Sequence, residues 1–135
     1  GPYFLTQLAA REMIRHGSGR IVFVTSISSY TASVMRGEYC ISKAGLSMAV
    51  ALWAARLAPH NVQVFEVRPG IIRTDMIEKV RDVYEEKARG GLLPQGRLGD
   101  PGDVARPVRA IADGLLDYGT GTVINADGGF HLRTL

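Results

Sequence analysis

The sequence predicts an α/β domain built on a parallel sheet, and three observations carry that prediction. Residues 20–25 form a continuous β-branched and aromatic run, the pattern of a strand covered on both faces. Further strands are expected at 62–67 and 122–126, with helical segments between them, and such alternation indicates a parallel sheet. No internal repeat or low-complexity linker divides the 135 residues, so they are read as one domain or part of one.

Each element has a local reason. The first helix covers 3–16, with Phe4, Leu5, Leu8, Ala9 and Ile14 among its apolar positions and Gly17 as its stop. Gly17-Ser18-Gly19 follows a helix and precedes a strand, which makes it a C-cap and turn. After strand 20–25, a polar loop leads into a helix over 38–58 that Pro59 ends. Ile41, Ala44, Met48, Leu52 and Ala55 mark one apolar stripe of that helix, and Leu46, Val50, Trp53 and Leu57 mark another. One stripe meets the sheet; the other needs a second cover, most simply a partner subunit. A helical segment is expected from about 75 to 89 and a helix over 101–116. Asp100 and Pro101 suit its N-cap and first position. Pro107 predicts a bend or a late start, since proline in a helix interior costs about 3 kcal/mol.

Composition narrows the function classes. Hydrophobic residues are 46% of the chain and charged residues 21%, a globular balance, while a scattered net charge of +3 without a basic stripe argues against nucleic acid. The single cysteine, Cys40, points to a reducing compartment and reads as a small buried thiol. His16, His60 and His131 have no metal-ligand spacing, so no metal is expected. No uninterrupted apolar stretch of membrane length and no signal peptide is visible, and the reading is cytoplasmic.

The candidate chemistry begins at Tyr39-Cys40-Ile41-Ser42-Lys43. Tyr39 and Lys43 are one helical turn apart on the same face. A free phenol titrates near pH ~10, so it serves as a general acid or base at neutral pH when a nearby cation favours its phenolate. In open α/β sheets ligands bind beyond the carboxyl ends of strands, where Ser26 and the pair Pro69-Gly70 fall. Ser28 lies deeper in the same loop as a second substrate contact. Thr74 is also a candidate N-cap for the following helix, and one hydroxyl can serve both a helix amide and a ligand.

Gly19-Arg20-Ile21-Val22-Phe23-Val24-Thr25-Ser26, the Tyr39 motif, Arg68-Pro69-Gly70-Ile71-Ile72-Arg73-Thr74-Asp75 and Asn125-Ala126-Asp127-Gly128-Gly129 occur in that order. Together they resemble the C-terminal half of the short-chain dehydrogenase/reductase family across essentially the whole chain. The resemblance implies the second half of a Rossmann-like doubly wound sheet. The glycine-rich first βαβ unit is missing, and upstream sequence is expected. It implies NAD or NADP as cofactor and a small-molecule carbonyl or alcohol as substrate. Ser26, at the family's separation from Tyr39, would hold the substrate oxygen while Tyr39 moves the proton. Lys43 would hold the nicotinamide ribose and lower the phenol pKa. Pro69 and Gly70 would border the nicotinamide, with the Ile72 backbone and the Thr74 hydroxyl on its carboxamide. An asparagine supporting the lysine is expected about three residues before Gly1. Residues 78–93 correspond to the variable substrate lid, and Asp127 with Gly128 and Gly129 to a tight turn near a subunit interface.

Within the family the pattern looks most like reductases named for 3-oxoacyl-carrier-protein substrates. A sugar or polyol dehydrogenase and a truncated, non-catalytic dimerisation module are the alternatives. The resemblance further implies a homodimer or homotetramer through helix 38–58 and the C-terminal strand region.

Overall fold

The computed structural model describes residues 1–133. Its regular elements are α1 (Pro2–His16), β1 (Gly19–Val24), α2 (Gly37–Leu57), β2 (Val62–Pro69), α3 (Arg81–Lys87), α4 (Pro101–Ala112) and β3 (Val123–Ala126). The strands form one parallel sheet in the order β1-β2-β3, with Gly19 opposite Val62 and Glu66 opposite Val123. Alternate residues of the central strand face opposite layers. Val62 and Val64 pack with Phe23, Val50, Trp53 and Leu57 beneath α1 and α2, while Phe65 and Val67 pack with Ile111 beneath α4. Trp53 also lies against Tyr3 of α1, with ring centroids 5.1 Å apart. A third cluster of Ala88, Leu93 and Leu98 closes the region beyond the sheet's carboxyl end.

The helix boundaries follow local chemistry. Gly17 ends α1 in the left-handed region at φ 76°, and its amide caps the Ile14 carbonyl, as the sequence predicts. The start of α4 is fixed by Asp103, whose carboxylate accepts from the Asp100 amide at 2.9 Å. As expected, α4 begins at Pro101; of the two alternatives for Pro107 the late start is not observed, and the helix carries that proline inside it. It stops at Ala112 rather than 116, because Gly114 turns the chain at φ 81°. The expected segment 75–89 divides into a 3₁₀ run (Asp75–Val80), α3 and a π turn (Ala88–Leu92).

β1 lies at the edge of the described sheet and is covered on both faces, as its apolar run suggests: Ile21 and Phe23 pack on the side of α1 and α2, and Val22 packs on the side of α4. One expectation of burial is revised. In α1 the buried contacts are the small residues Thr6 and Ala10, which let the helix approach closely, and Phe4, Leu5 and Leu8 are exposed. The two-stripe reading of α2 holds: Val50, Trp53 and Leu57 are buried, while Ile41, Met48 and Leu52 are bare. By length and composition Val34–His60, with a mean hydropathy of 1.2, could cross a membrane. A helix with one stripe on a sheet gives the same signal.

Candidate active site

A cleft lies beyond the carboxyl ends of β1 and β2, where an open parallel sheet places its ligands. One wall comes from the chain leaving β1. The Thr25 amide extends the ladder to the Val67 carbonyl at 3.0 Å, which carries the extended Ser26 to the cleft floor. Ser26 is 8% exposed, and its Oγ accepts from the Ser28 amide at 3.1 Å. Accepting that bond leaves the hydroxyl proton free to donate to a ligand oxygen. Ser28 is also buried and lines the same space.

Tyr39 enters this wall from the first turn of α2, with its ring partly exposed to the cleft. Lys43 does not line the cleft. It sits half-buried behind the ring, its Nζ 5.6 Å from the ring centroid and donating to the Val24 carbonyl at 3.3 Å. The lysine therefore links the end of β1 to the helix that carries the tyrosine. Cys40 is half-buried rather than enclosed, and its thiol faces the Thr31 carbonyl at 3.6 Å.

The opposite wall comes from the turn after β2. The Gly70 amide donates to the Ala126 carbonyl at 3.0 Å, and a Cβ on Gly70 would stand 2.7 Å from Asp127 Cα. Only glycine permits that approach without a shift of the backbone. Pro69 ends β2 opposite Ala126 and lies outside the cleft lining. Ile72 forms a parallel bridge with Gly99, made by the Arg73 amide and the Ile71 carbonyl. In that geometry the Ile72 amide and carbonyl face away from Gly99, and among the described residues neither has a backbone partner. Thr74 begins the 3₁₀ run, but its side chain makes no capping bond, so the capping half of its expected double role is not observed. An amide donor, a carbonyl acceptor and a hydroxyl are thus left unpaired on this wall, a donor set that fits a carboxamide.

A buried ion network lies beneath the first wall. The Glu66 carboxylate, with 1% of its side chain exposed, is bonded to Arg68 Nε at 2.8 Å, Ser47 Oγ at 2.7 Å and the Thr25 hydroxyl. Burial pushes the Glu66 carboxyl up, but the hydrogen bonds from Arg68, Thr25 and Ser47 together hold it below its ordinary value. Thr25 precedes Ser26, and Ser47 lies one turn beyond Lys43, so the network joins the supports of both groups. Arg68 also lies over the Tyr30 ring at 5.1 Å. On the lid side, Arg73 reaches both Glu85 and Asp100 at 3.1 Å and ties the turn to α3 and to the start of α4.

The structure therefore brings Ser26, Ser28, Tyr39, Gly70, Ile72 and Thr74 into one cleft. Sequence reasoning missed Arg36, whose guanidinium lies 5.2 Å from the Tyr39 ring centroid, and Met76, Ile77 and Tyr84 on the lid side. Arg36 was findable: it stands three residues before Tyr39, one turn back along the chain.

Comparisons with known proteins bear on this arrangement. The family model described as enoyl-(acyl carrier protein) reductase matches residues 1–131. The 3-oxoacyl-[acyl-carrier-protein] reductase of Aquifex aeolicus is 38% identical over 133 residues, covering 96% of this chain and 52% of the relative. The L-rhamnose 1-dehydrogenase (NAD(P)(+)) of Azotobacter vinelandii is 37% identical over 135 residues, covering 98% of this chain and 53% of the relative. A crystal structure of a Brucella melitensis 3-oxoacyl-[acyl-carrier protein] reductase in complex with NAD matches with a TM-score of 0.83 at 47% identity. That match covers 86% of this chain and 46% of the solved one. The chain spans about half the length of the curated relatives it matches.

Proposed function

The chain belongs to the short-chain dehydrogenase/reductase family, and on that premise we propose that the protein transfers a hydride between NAD or NADP and a ketone or secondary alcohol. The observation that carries this reading is one cleft with Ser26 and Tyr39 on one wall and the unpaired Ile72 amide and carbonyl and Thr74 hydroxyl on the other. The bound dinucleotide supplies or accepts the hydride at the substrate carbon. Everything else falls to the chain's own residues.

Ser26 donates to the substrate oxygen and fixes its direction. Tyr39 gives its phenol proton to that oxygen as a ketone is reduced, and takes it back in the reverse reaction. Carbonyl, hydride and proton together make the alcohol. Lys43 keeps positive charge beside the ring that loses the proton and contributes to holding the ribose. Pro69 and Gly70 shape the turn that borders the nicotinamide, with Ile72 and Thr74 binding its carboxamide, and Ser28 makes a second contact with substrate.

A 3-oxoacyl thioester is the favoured substrate class, on the likeness to the Aquifex and Brucella reductases. A sugar substrate is the second reading, on the comparable likeness to the rhamnose dehydrogenase. The bare stripe of Ile41, Met48 and Leu52 supports assembly as a homodimer or homotetramer through α2 and the region of β3. A cytoplasmic site of action belongs to the same reading.

The test is turnover by the purified protein with NADH or NADPH on acetoacetyl thioesters and on rhamnose with the oxidised cofactors. Tyr39→Phe is expected to lower kcat by roughly 10²–10⁴-fold with intact folding. An unchanged rate would remove Tyr39 from the chemistry and the proposal with it.

A further inference from the structure

We propose that Arg36 makes this cleft selective for substrates that carry a carboxylate near the reacting carbon, that is, short keto acids or the matching hydroxy acids. The inference rests on the oxidoreductase reading above and, within it, puts free acids in place of the thioester and sugar substrates suggested by the relatives. Arg36 ends the 3₁₀ turn Val34–Arg36 and immediately precedes α2, so its side chain starts one turn before Tyr39 and reaches the same wall. Its guanidinium lines the cleft with Ser26, Ser28 and Tyr39 and lies 5.2 Å from the phenol ring centroid. Stacking on an aromatic face holds a guanidinium in place while leaving its N–H edge open to a ligand.

Arg36 is the arginine in the cleft lining, and its charge is left without a partner there. Nine other arginines have a carboxylate within 4.0 Å. Among the described residues the Arg36 side chain has neither an ion pair nor a hydrogen bond, its backbone amide alone donating to the Ser33 carbonyl. The cleft lining contains no aspartate or glutamate, and the one other cation close to Tyr39 is Lys43, of the same sign. The site thus has an uncompensated positive charge beside the proton donor. A planar fork of N–H groups matches a carboxylate in two parallel hydrogen bonds, which a neutral ketone or ester cannot form. The hydroxyls of Ser26 and Tyr39 would meet the reacting oxygen while Arg36 holds the acid end, so the carboxylate sets the orientation of the carbonyl.

The experiment compares 3-oxobutanoate and 4-oxopentanoate with their methyl esters on the purified wild type, Arg36→Gln and Arg36→Lys. With NADH or NADPH, the wild type is expected to favour the acids in kcat/KM. Arg36→Gln should lower the acid-over-ester ratio by roughly tenfold or more, through KM, as befits a lost charged hydrogen bond. Arg36→Lys, with charge but no fork, should restore part of it. Titration calorimetry with the same acids and esters reads the preference without turnover. A wild type that neither turns over nor binds the acids in preference to the esters overturns the inference, as does a ratio unmoved by Arg36→Gln. If the acids bind in an Arg36-dependent way but nothing is reduced, the anion site stands and the reductase reading falls.

Discussion

The two walls of the cleft are built on different terms. Ser26, Tyr39 and Lys43 stand on β1 and α2, and the ends of those elements are tied together by the Glu66 network and by the bond from Lys43 to Val24. Facing them, Gly70 to Tyr84 is a turn, a bridge and a 3₁₀ run, with Met76 87% exposed. The first wall has the rigidity that proton transfer needs, since groups must stay within hydrogen-bond reach of the reacting oxygen. The second has a fixed root at Gly70 and a loosely covered tip. On the proposed reading, proton transfer falls to the stiff wall, which also carries Arg36, and the carboxamide contact to the adaptable one.

Substitutions on each wall should separate along those lines, and the largest effect should be the Tyr39→Phe loss of turnover. It should appear in kcat with little change in KM for the cofactor, measured in steady state. Next comes the support beneath that wall: Glu66→Ala leaves Arg68 without its carboxylate and is expected to cost about 3 kcal/mol in denaturant unfolding. The same pair predicts a pH dependence. Because the folded Glu66 pKa lies below its ordinary value of 4.5, its contribution is fully present above that value and is lost as pH falls through the folded pKa. Wild-type stability should therefore drop on the acid side more steeply than that of Glu66→Ala.

On the second wall, Gly70→Ala forces a methyl against Asp127 and should cost about 1–3 kcal/mol, visible as a lowered Tm. The smallest effect is reserved for Thr74→Val. Removing one hydroxyl from the carboxamide contact should raise KM for the dinucleotide by about threefold to tenfold at nearly constant kcat. A fall in kcat with unchanged KM would mean that the two walls do not divide the work in this way.

Much of the stiff wall was legible before the structure. The i, i+4 spacing of Tyr39 and Lys43, the strand end at Ser26 and the glycine cap at Gly17 are local signals, and each lands as expected. What local signals cannot convey is which strand is central. The runs 20–25 and 62–67 look alike in sequence, yet among the described residues β2 pairs with both other strands and β1 with β2 alone. Sheet order is a long-range property that no strand carries alone. Glu66 did carry a signal, a charge inside an apolar strand run, but its partners come from β1 and α2 and could not be read from spacing. Thr74 looked like a helix cap because threonine caps helices by default, and only the missing bond shows that its hydroxyl is unused. Arg36 offered its spacing to Tyr39, but in a chain with 16 lysines and arginines that spacing carries weight only once the fold places an unpaired guanidinium in the cleft.

Trp53, packed between α2 and the sheet and touching Tyr3, has an optical consequence. It is the chain's only tryptophan, buried to 6% exposure and remote from the cleft lining. Its emission should be blue-shifted while α1 is docked and should move to the red when that helix peels away. One fluorescence trace would then follow the seating of the first helix, separately from anything that happens in the cleft.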